Sequence, residues 1–219
     1  MKKLILIGAG GHAKAVIDIL KKNNQGIEIV GLITKDADDI GKKILGVSVI
    51  GTDKQLSELF KMGIEYALIA VGSAGDNFLR KKLYEKVANI GYTFVNAFHP
   101  SSIISDHVKF GAGNVVMPGV LVGPDTIIGN NVILNTGSII EHDCVIEDHV
   151  HIAPGVKIAG GVKIGEASHI GIGSVIIQGI KIGKNALIGA GTVVLKDVPD
   201  NAVVVGVPGK ITKFRETND

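Results

Sequence analysis

The second half of this chain keeps a strict six-residue period, and that period limits its fold more than any other feature. Ser102 to Asp197 span 96 residues, sixteen groups of six. Every sixth position from Ile104 to Val194 is aliphatic except Phe110. Two residues earlier the chain is small or β-branched, as at Val108, Val120, Thr126, Val132, Ser138, Cys144 and Val150, with Asn114 the clear departure. An α-helix of about 3.6 residues per turn cannot hold one face in register with a period of six. Short strands joined by turns can, and hexapeptide periods mark β-helices. Three hexads close one triangular coil, so residues 18 apart stack at about 4.8 Å. The repeat makes a little over five coils.

Composition supports this division. Seven of the nine aromatic residues lie at or before Phe98, and there is no Trp. A narrow aliphatic prism has little room for rings, and its corners use many of the 30 glycines, where a positive φ or a close approach is needed. The first 98 residues alternate strand and helix patterns instead. Lys2–Ile7, Ile27–Ile33 and Tyr66–Val71 are expected as strands. Ala13–Leu20, a segment with Leu56, Leu59 and Phe60 capped by Asp53, and Phe78–Ile90 are expected as helices. That alternation predicts a small Rossmann-like parallel sheet covered by helices over residues 1–98, with His99-Pro100 as the hinge into a β-helix over 99–219.

Several functional classes fall away on the same numbers. A single Cys cannot make a disulfide scaffold and suits a reducing, cytoplasmic setting. A net charge of +2 argues against a dedicated nucleic-acid binder. No apolar run approaches the roughly 18 residues of a membrane span, and no signal-peptide pattern opens the chain.

The register [LIV]-G-x4, seen at Ile128-Gly129, Ile164-Gly165, Ile182-Gly183 and Ile188-Gly189, resembles the hexapeptide-repeat acyltransferases. The order of parts narrows the resemblance. A strand ending in Gly8-Ala9-Gly10-Gly11-His12, then the repeats, then Val205-Gly206-Val207-Pro208-Gly209-Lys210 looks like the sialic-acid and UDP-amino-sugar acetyltransferases. The resemblance covers nearly the whole chain. It implies a left-handed parallel β-helix, acetyl-CoA as acetyl donor, a nucleotide-activated amino sugar as acceptor, a role in surface glycan biosynthesis, and a homotrimer with active sites between chains.

Acetyl transfer needs a base for the incoming amine and donors for the developing oxyanion. Three of the seven His, His142, His149 and His151, fall within ten residues. His142 precedes Asp143, a carboxylate able to hold one ring nitrogen and leave the other as base, provided a coil corner lies there. One coil on from His142 lies Gly160-Gly161, a place without side chains, expected to leave space for substrate. By the same sum His151 stacks near His169. The resemblance implies His142 as general base with Asp143 raising its basicity, Asn135 as a substrate contact, and His151, Gly160, Ile172 and Ala190 along acetyl-CoA. Zinc held by His142, Asp143, Cys144, His149 and His151 is the competing reading. Cys144 occupies an inward hexad position, which favours packing over ligation.

The Gly-rich start satisfies G-x-G-x-x-A after a strand and before a helix, so its amides are suited to a phosphate. Gly10, Gly11, His12 and Gly72 are the expected nucleotide-sugar contacts. Relatives often carry an acidic pair after the second strand; here Thr34-Lys35 stands there, and Asp36 is the candidate ribose ligand. The departure keeps two alternatives open: O-acetylation of sialic acid or a related sugar, and a noncatalytic nucleotide-sensing or scaffold trimer. Outward aliphatics such as Leu121, Ile133 and Ile177 are expected to face neighbouring subunits.

Overall fold

The computed structural model describes residues 1–23 and 26–216. It divides into two compact units, residues 1–72 with 79–100, and residues 73–78 with those from 101 onward.

The first unit is a helix-covered sheet. Its elements are β1 (Lys2–Ile7), α1 (Gly11–Lys22), β2 (Ile27–Thr34), β3 (Lys43–Ile44), β4 (Val47–Thr52), α2 (Leu56–Lys61), β5 (Tyr66–Ile69), α3 (Phe78–Ile90) and β6 (Thr93–Phe94). The strand order is β3-β4-β2-β1-β5-β6, parallel throughout except for the antiparallel β3–β4 pair. Ile5, Ile7, Ile33, Leu56, Ala67, Ile69 and Val87 form a buried core on one face. Strand β1 has β2 on one side and β5 on the other, so the order reverses at its carboxyl end, where open α/β sheets bind ligands.

Two local expectations need correction. Asp53 does not cap a helix: Thr52 does, its Oγ1 accepting from Lys54 N–H, while Gln55 Oε1 accepts from Thr52 N–H at 2.7 Å. Asp53 instead pairs with Lys86 Nζ at 3.1 Å. The short strands β3, β4 and β6 were not expected, since glycines and polar residues interrupt their apolar runs. On α3, Phe78 and Leu79 are exposed, whereas Arg80 is buried beside Val87.

The second unit is a parallel β-helix of two-residue strands. Successive strands pair 18 residues apart, as Ile139 with Lys157 and His151 with His169, until the last coil, where Leu187 pairs with Val203. The hexad positions from Val116 to Val194 are all 4% exposed or less. Burying such branched aliphatics stabilises each coil by about 1.5–3 kcal/mol per side chain. Ile104 and Phe110, in the first coil, are half-buried. The departure at Asn114 has a structural cause. Its amide donates to the carbonyls of Gly111 and Gly129 at 3.0 and 2.9 Å, and its Oδ1 accepts from Val132 N–H at 2.8 Å.

At the corners from Gly113 to Gly191 the second turn residue is left-handed. One corner uses glycine throughout, including Gly137, Gly155 and Gly173, while another passes from Asp125 and Asp143 to Gly161 and Gly179. The last coil is continued by a strand over Ala202–Val205, to which Lys210–Phe214 adds antiparallel. Ile133 is fully buried within the single chain, so it is not open to a neighbouring subunit; Ile177 is exposed and Leu121 half-buried.

Candidate active site

His142 and Asp143 occupy a turn between the strands Ile139–Ile140 and Val145–Ile146, the corner that their pairing requires. Asp143 has φ +59, a conformation short polar residues tolerate. Its N–H donates to the Pro124 carbonyl, and the His142 carbonyl accepts from Gly161 N–H, so the corner is pinned to the coils on both sides. His142 Nδ1 lies 2.7 Å from Asp143 Oδ2. A carboxylate accepts only, so Nδ1 carries a proton, and in the neutral ring the lone pair is on Nε2. Both side chains are exposed.

Gly160 lies one coil on, but the space it leaves is not open. A β-carbon there would fall 2.6 Å from His142 Cε1 and 2.7 Å from Nε2, so the imidazole itself fills the position. The absent side chain makes room for the ring, which corrects the expectation of a cleared substrate pocket directly above His142.

A second cluster forms at another place on the prism. His151 is buried on the strand His151–Ile152, its ring meeting His169 edge-on with centroids 4.8 Å apart. Its Nδ1 is 2.6 Å from Ser73 Oγ and its Nε2 is 3.1 Å from Asn135 Nδ2. Both ring nitrogens are engaged inside the chain, so His151 here holds other side chains and does not line an open surface. Burial, with the Arg215 charge second, lowers the His169 pKa to about 4. Ile172 and Ala190 are exposed and lie 18 residues apart at the corner that follows Asn135. The structure therefore brings together His142, Asp143 and Gly160 at one corner. Asn135, Ile172 and Ala190 belong to the neighbouring corner, across the face built from Ile139–Ile140, Lys157–Ile158 and Val175–Ile176.

The residues of the competing zinc set turn to separate partners. Cys144 Sγ is buried against the carbonyls of His142 and Ala159, and His149 Nδ1 is 2.9 Å from Asn131 Nδ2.

In the first unit, Gly8 ends β1 with φ +121, and a β-carbon there would lie 2.7 Å from Val71 Cγ2. Gly10 and Gly11 have open space where side chains would project, and no side chain of the N-cap residue bonds the first turn of α1, whose Ala13 N–H donates to the Gly10 carbonyl at 3.1 Å. His12 packs against Gly72, with Nε2 buried and without a hydrogen-bond partner among the described residues. Burial, and then the Arg80 charge, lowers its pKa to about 3, so the ring is neutral. A cavity of about 330 Å³ at the carboxyl ends of β1 and β2 is lined by Gly8, Thr34, Lys35, Asp53, Lys82 and Lys86, among others. Lys35 lines it and Asp36 does not: the Asp36 carboxylate accepts from Asp38 N–H at 3.0 Å and caps a short turn.

Comparison with known proteins decides the family. Residues 3–87 match the PglD N-terminal domain, residues 125–160 and 161–196 match the bacterial transferase hexapeptide (six repeats), and residues 103–136 match the hexapeptide repeat of succinyl-transferase. A structure of a histidine-to-alanine variant of GDP-perosamine N-acetyltransferase from Caulobacter crescentus, in complex with CoA and GDP-perosamine, is 39% identical. The alignment covers 96% of this chain and 97% of that one, with TM-score 0.89. The chain belongs to the hexapeptide-repeat sugar acetyltransferases. The acetyltransferase domain of PglB from Neisseria gonorrhoeae, solved also with acetyl coenzyme A, is 33% identical over 96% of this chain and all of that one, with TM-score 0.87. UDP-N-acetylbacillosamine N-acetyltransferase of Bacillus subtilis is 32% identical over 120 residues, 53% of this chain and 52% of that protein. An uncharacterised mimivirus protein is 38% identical over 111 residues, so the chain spans about a fifth of that relative and about half of the Bacillus one.

Three residues of this family member escaped the sequence reading. Ser73 contacts His151. Asn77 Nδ2 donates to the carbonyls of His149, Ala167 and Ser168 at 2.9–3.2 Å. Arg80, fully buried, donates from Nη1 to the Ile69 and Val71 carbonyls, and burial lowers its pKa to about 9. The available signal was the turn-rich run Gly72-Ser73-Ala74-Gly75-Asp76-Asn77 between a strand and a helix.

Proposed function

We propose that this chain transfers the acetyl group of acetyl-CoA to the amine of a nucleotide-linked amino sugar. The observation that carries this reading is the His142–Asp143 pair, with Nδ1 held at 2.7 Å and Nε2 left as base on an exposed corner. The neutral amine attacks the thioester carbonyl and a C–N bond forms. The amine proton passes to His142 Nε2, the C–S bond breaks, and the CoA thiolate takes a proton to leave as the thiol. Asp143 stabilises the imidazolium formed on the way.

The nucleotide end belongs with the first unit. The start of α1, with no side-chain cap, suits a diphosphate, and the cavity at the carboxyl ends of β1 and β2 presents three lysines against one carboxylate. That charge balance favours an anionic nucleotide sugar over a free neutral sugar. The liganded relatives support the same reading, since the Caulobacter enzyme is seen with CoA and GDP-perosamine. Gly10, Gly11 and Gly72 are the proposed contacts there, with His12 acting as neutral packing beneath Gly72.

Acetyl-CoA is assigned to the corner of Ile172 and Ala190, with Asn135 beside it, in a homotrimer whose neighbouring chains complete each site. The support is that His142 and the Ile172–Ala190 stack lie at different corners of one prism, while Ile103, Ile172 and Ile177 are exposed. Acetyl-CoA and a nucleotide sugar as substrates support a cytoplasmic reading; separately, among the described residues no helix is long and apolar enough to cross a membrane.

The test is release of CoA thiol from acetyl-CoA across a panel of UDP- and GDP-linked amino sugars. Turnover with at least one, and its loss in His142→Ala, is expected. No thiol release with any of them, or acetylation of free sialic acid instead, overturns the reading.

A further inference from the structure

We propose that Ser73 is a positioning residue: through His151 it holds Asn135 as a hydrogen-bond donor toward an acceptor-only oxygen of the ligand, the class to which a thioester carbonyl belongs. The inference rests on the acetyl-transfer reading above for the ligand's chemistry, and on the hydrogen-bond chain for the rest.

The chain of bonds settles every proton. Thr136 N–H can only donate, and it lies 2.8 Å from Asn135 Oδ1. That contact fixes which end of the Asn135 amide is oxygen, so the end 3.1 Å from His151 Nε2 is the NH2 group. His151 Nε2 must then accept, and the ring proton of the neutral imidazole sits on Nδ1. Nδ1 donates to Ser73 Oγ at 2.6 Å. Ser73 closes the series as the acceptor that makes the Nδ1–H form the preferred one. Burial of His151 removes water as a substitute acceptor.

The consequence falls on Asn135. Its oxygen is committed to Thr136 and one of its two N–H bonds to His151, leaving a single N–H on a half-buried side chain. In that state the amide has an N–H left to offer, while its oxygen already faces Thr136 N–H at 2.8 Å and Thr136 Oγ1 at 3.5 Å. That N–H suits an oxygen with no hydrogen of its own, and is unsuited to an ammonium group. Were His151 to adopt the Nε2–H form, the contact with the Asn135 amide would become donor against donor, and the amide would have to turn away. Ser73 thus acts on the ligand through two intervening side chains.

Ser73 is held in place independently of His151. Asn77 ties the same segment to three carbonyls of the coils, Asp76 pairs with Arg215 at 3.4 Å, and Gly75 lies against Leu187. Removing the hydroxyl therefore leaves the segment docked.

The experiment compares Ser73→Ala and Ser73→Thr with the full wild-type chain. Nitrogen-15 NMR of labelled histidine, with the His151 signals identified by their loss in His151→Gln, is expected to show Nδ1–H in wild type and Ser73→Thr. In Ser73→Ala a mixture of the two forms is expected. The kcat of Ser73→Ala should fall about tenfold, as loss of one neutral hydrogen bond implies, with KM for the sugar unchanged and Ser73→Thr restoring it. An unchanged tautomer in Ser73→Ala overturns the proposal, as does an equal loss of kcat in both variants. If Ser73→Ala fails to fold, a wild-type Nε2–H ring or an inactive Ser73→Thr overturns it equally. The NMR arm reads the proposal without any turnover. A wild-type enzyme that acetylates nothing thus counts against the proposed function alone.

Discussion

The ring of His142 occupies the volume that a side chain on Gly160 would need, with Nε2 only 2.7 Å from the β-carbon position. The two residues are one coil apart, so the repeat that builds the prism also decides whether the proposed base can lie flat along its corner. Alanine at 160 would have to push the imidazole out. The backbone carbonyl of His142 is held by Gly161, so the ring gives way before the chain does. Gly160→Ala is expected to leave the thermal midpoint within a few degrees of wild type while cutting kcat by about a hundredfold, the scale of a misplacement near 1 Å. Differential scanning calorimetry beside the thiol-release assay checks both halves.

Asp143→Asn tests what the carboxylate does for the ring. An amide can present its NH2 to Nδ1, which reverses the tautomer and places the proton on Nε2, where the proposed base needs a lone pair. A fall in kcat of about 10²–10⁴ is expected, within the range of general-base catalysis. Steady-state kinetics at pH 7 to 8 reads it, with KM for acetyl-CoA serving as a control for binding.

Much of this arrangement was open to reading in the chain. A six-residue period imposes one geometry on a polypeptide, so the inward positions from Val116 to Val194 and the stacking of His151 on His169 follow by counting. The corner at His142-Asp143 follows as well, because neighbouring residues meet only at a turn. What resists counting is any partner brought in from outside the period. Ser73 lies 78 residues from His151, and the six-residue run around it carries no pattern beyond that of a loop. Arg80 sits in a helix among charged neighbours, and its burial depends on carbonyls at the end of β5. Asn114 broke the hexad rule visibly, yet its reason, one bond within its own turn and two to the next coil, required the fold.

That exception gives a stability prediction that runs against the sequence rule. Asn114→Val would restore the small or β-branched pattern while leaving Val132 N–H without its side-chain acceptor and two carbonyls without their donor, at a fully buried site. Unsatisfied buried groups cost about 1–3 kcal/mol each, partly offset by the apolar gain. Net destabilisation of about 2 kcal/mol is expected in urea unfolding, where the repeat pattern taken alone implies stabilisation.

Acid should weaken the fold through two histidines. The folded-state pKa values of His12 and His169 are lowered to about 3 and about 4, in both cases first by burial. The unfolded chain, with histidines near 6.5, binds more protons than the native chain between those limits. Their stabilising contribution is complete above about pH 6.5. It declines as pH falls, until about pH 4 for His169 and about pH 3 for His12. Urea midpoints measured at pH 7.5, 6, 5 and 4 should fall steadily. A His12→Gln, His169→Gln double variant should show a shallower fall, and an identical slope would contradict the assignment.

A mixed-subunit experiment addresses the shared site most directly. His142 stands at one corner of the prism and Ala190 at another, and the proposed trimer joins the two corners from neighbouring chains. His142→Ala removes the base, and Ala190→Trp fills the cofactor corner; each homotrimer is then expected to be inactive. When the two variants are co-expressed in equal amounts, each interface draws its base corner and its cofactor corner independently. About a quarter of interfaces then pair an intact His142 with an intact Ala190, so about a quarter of wild-type activity returns. If both corners served a site within one chain, every site in the mixture would carry a lesion and no activity would return. Separately purified variants mixed without subunit exchange should also stay inactive, so the recovered rate must come from chains assembled together.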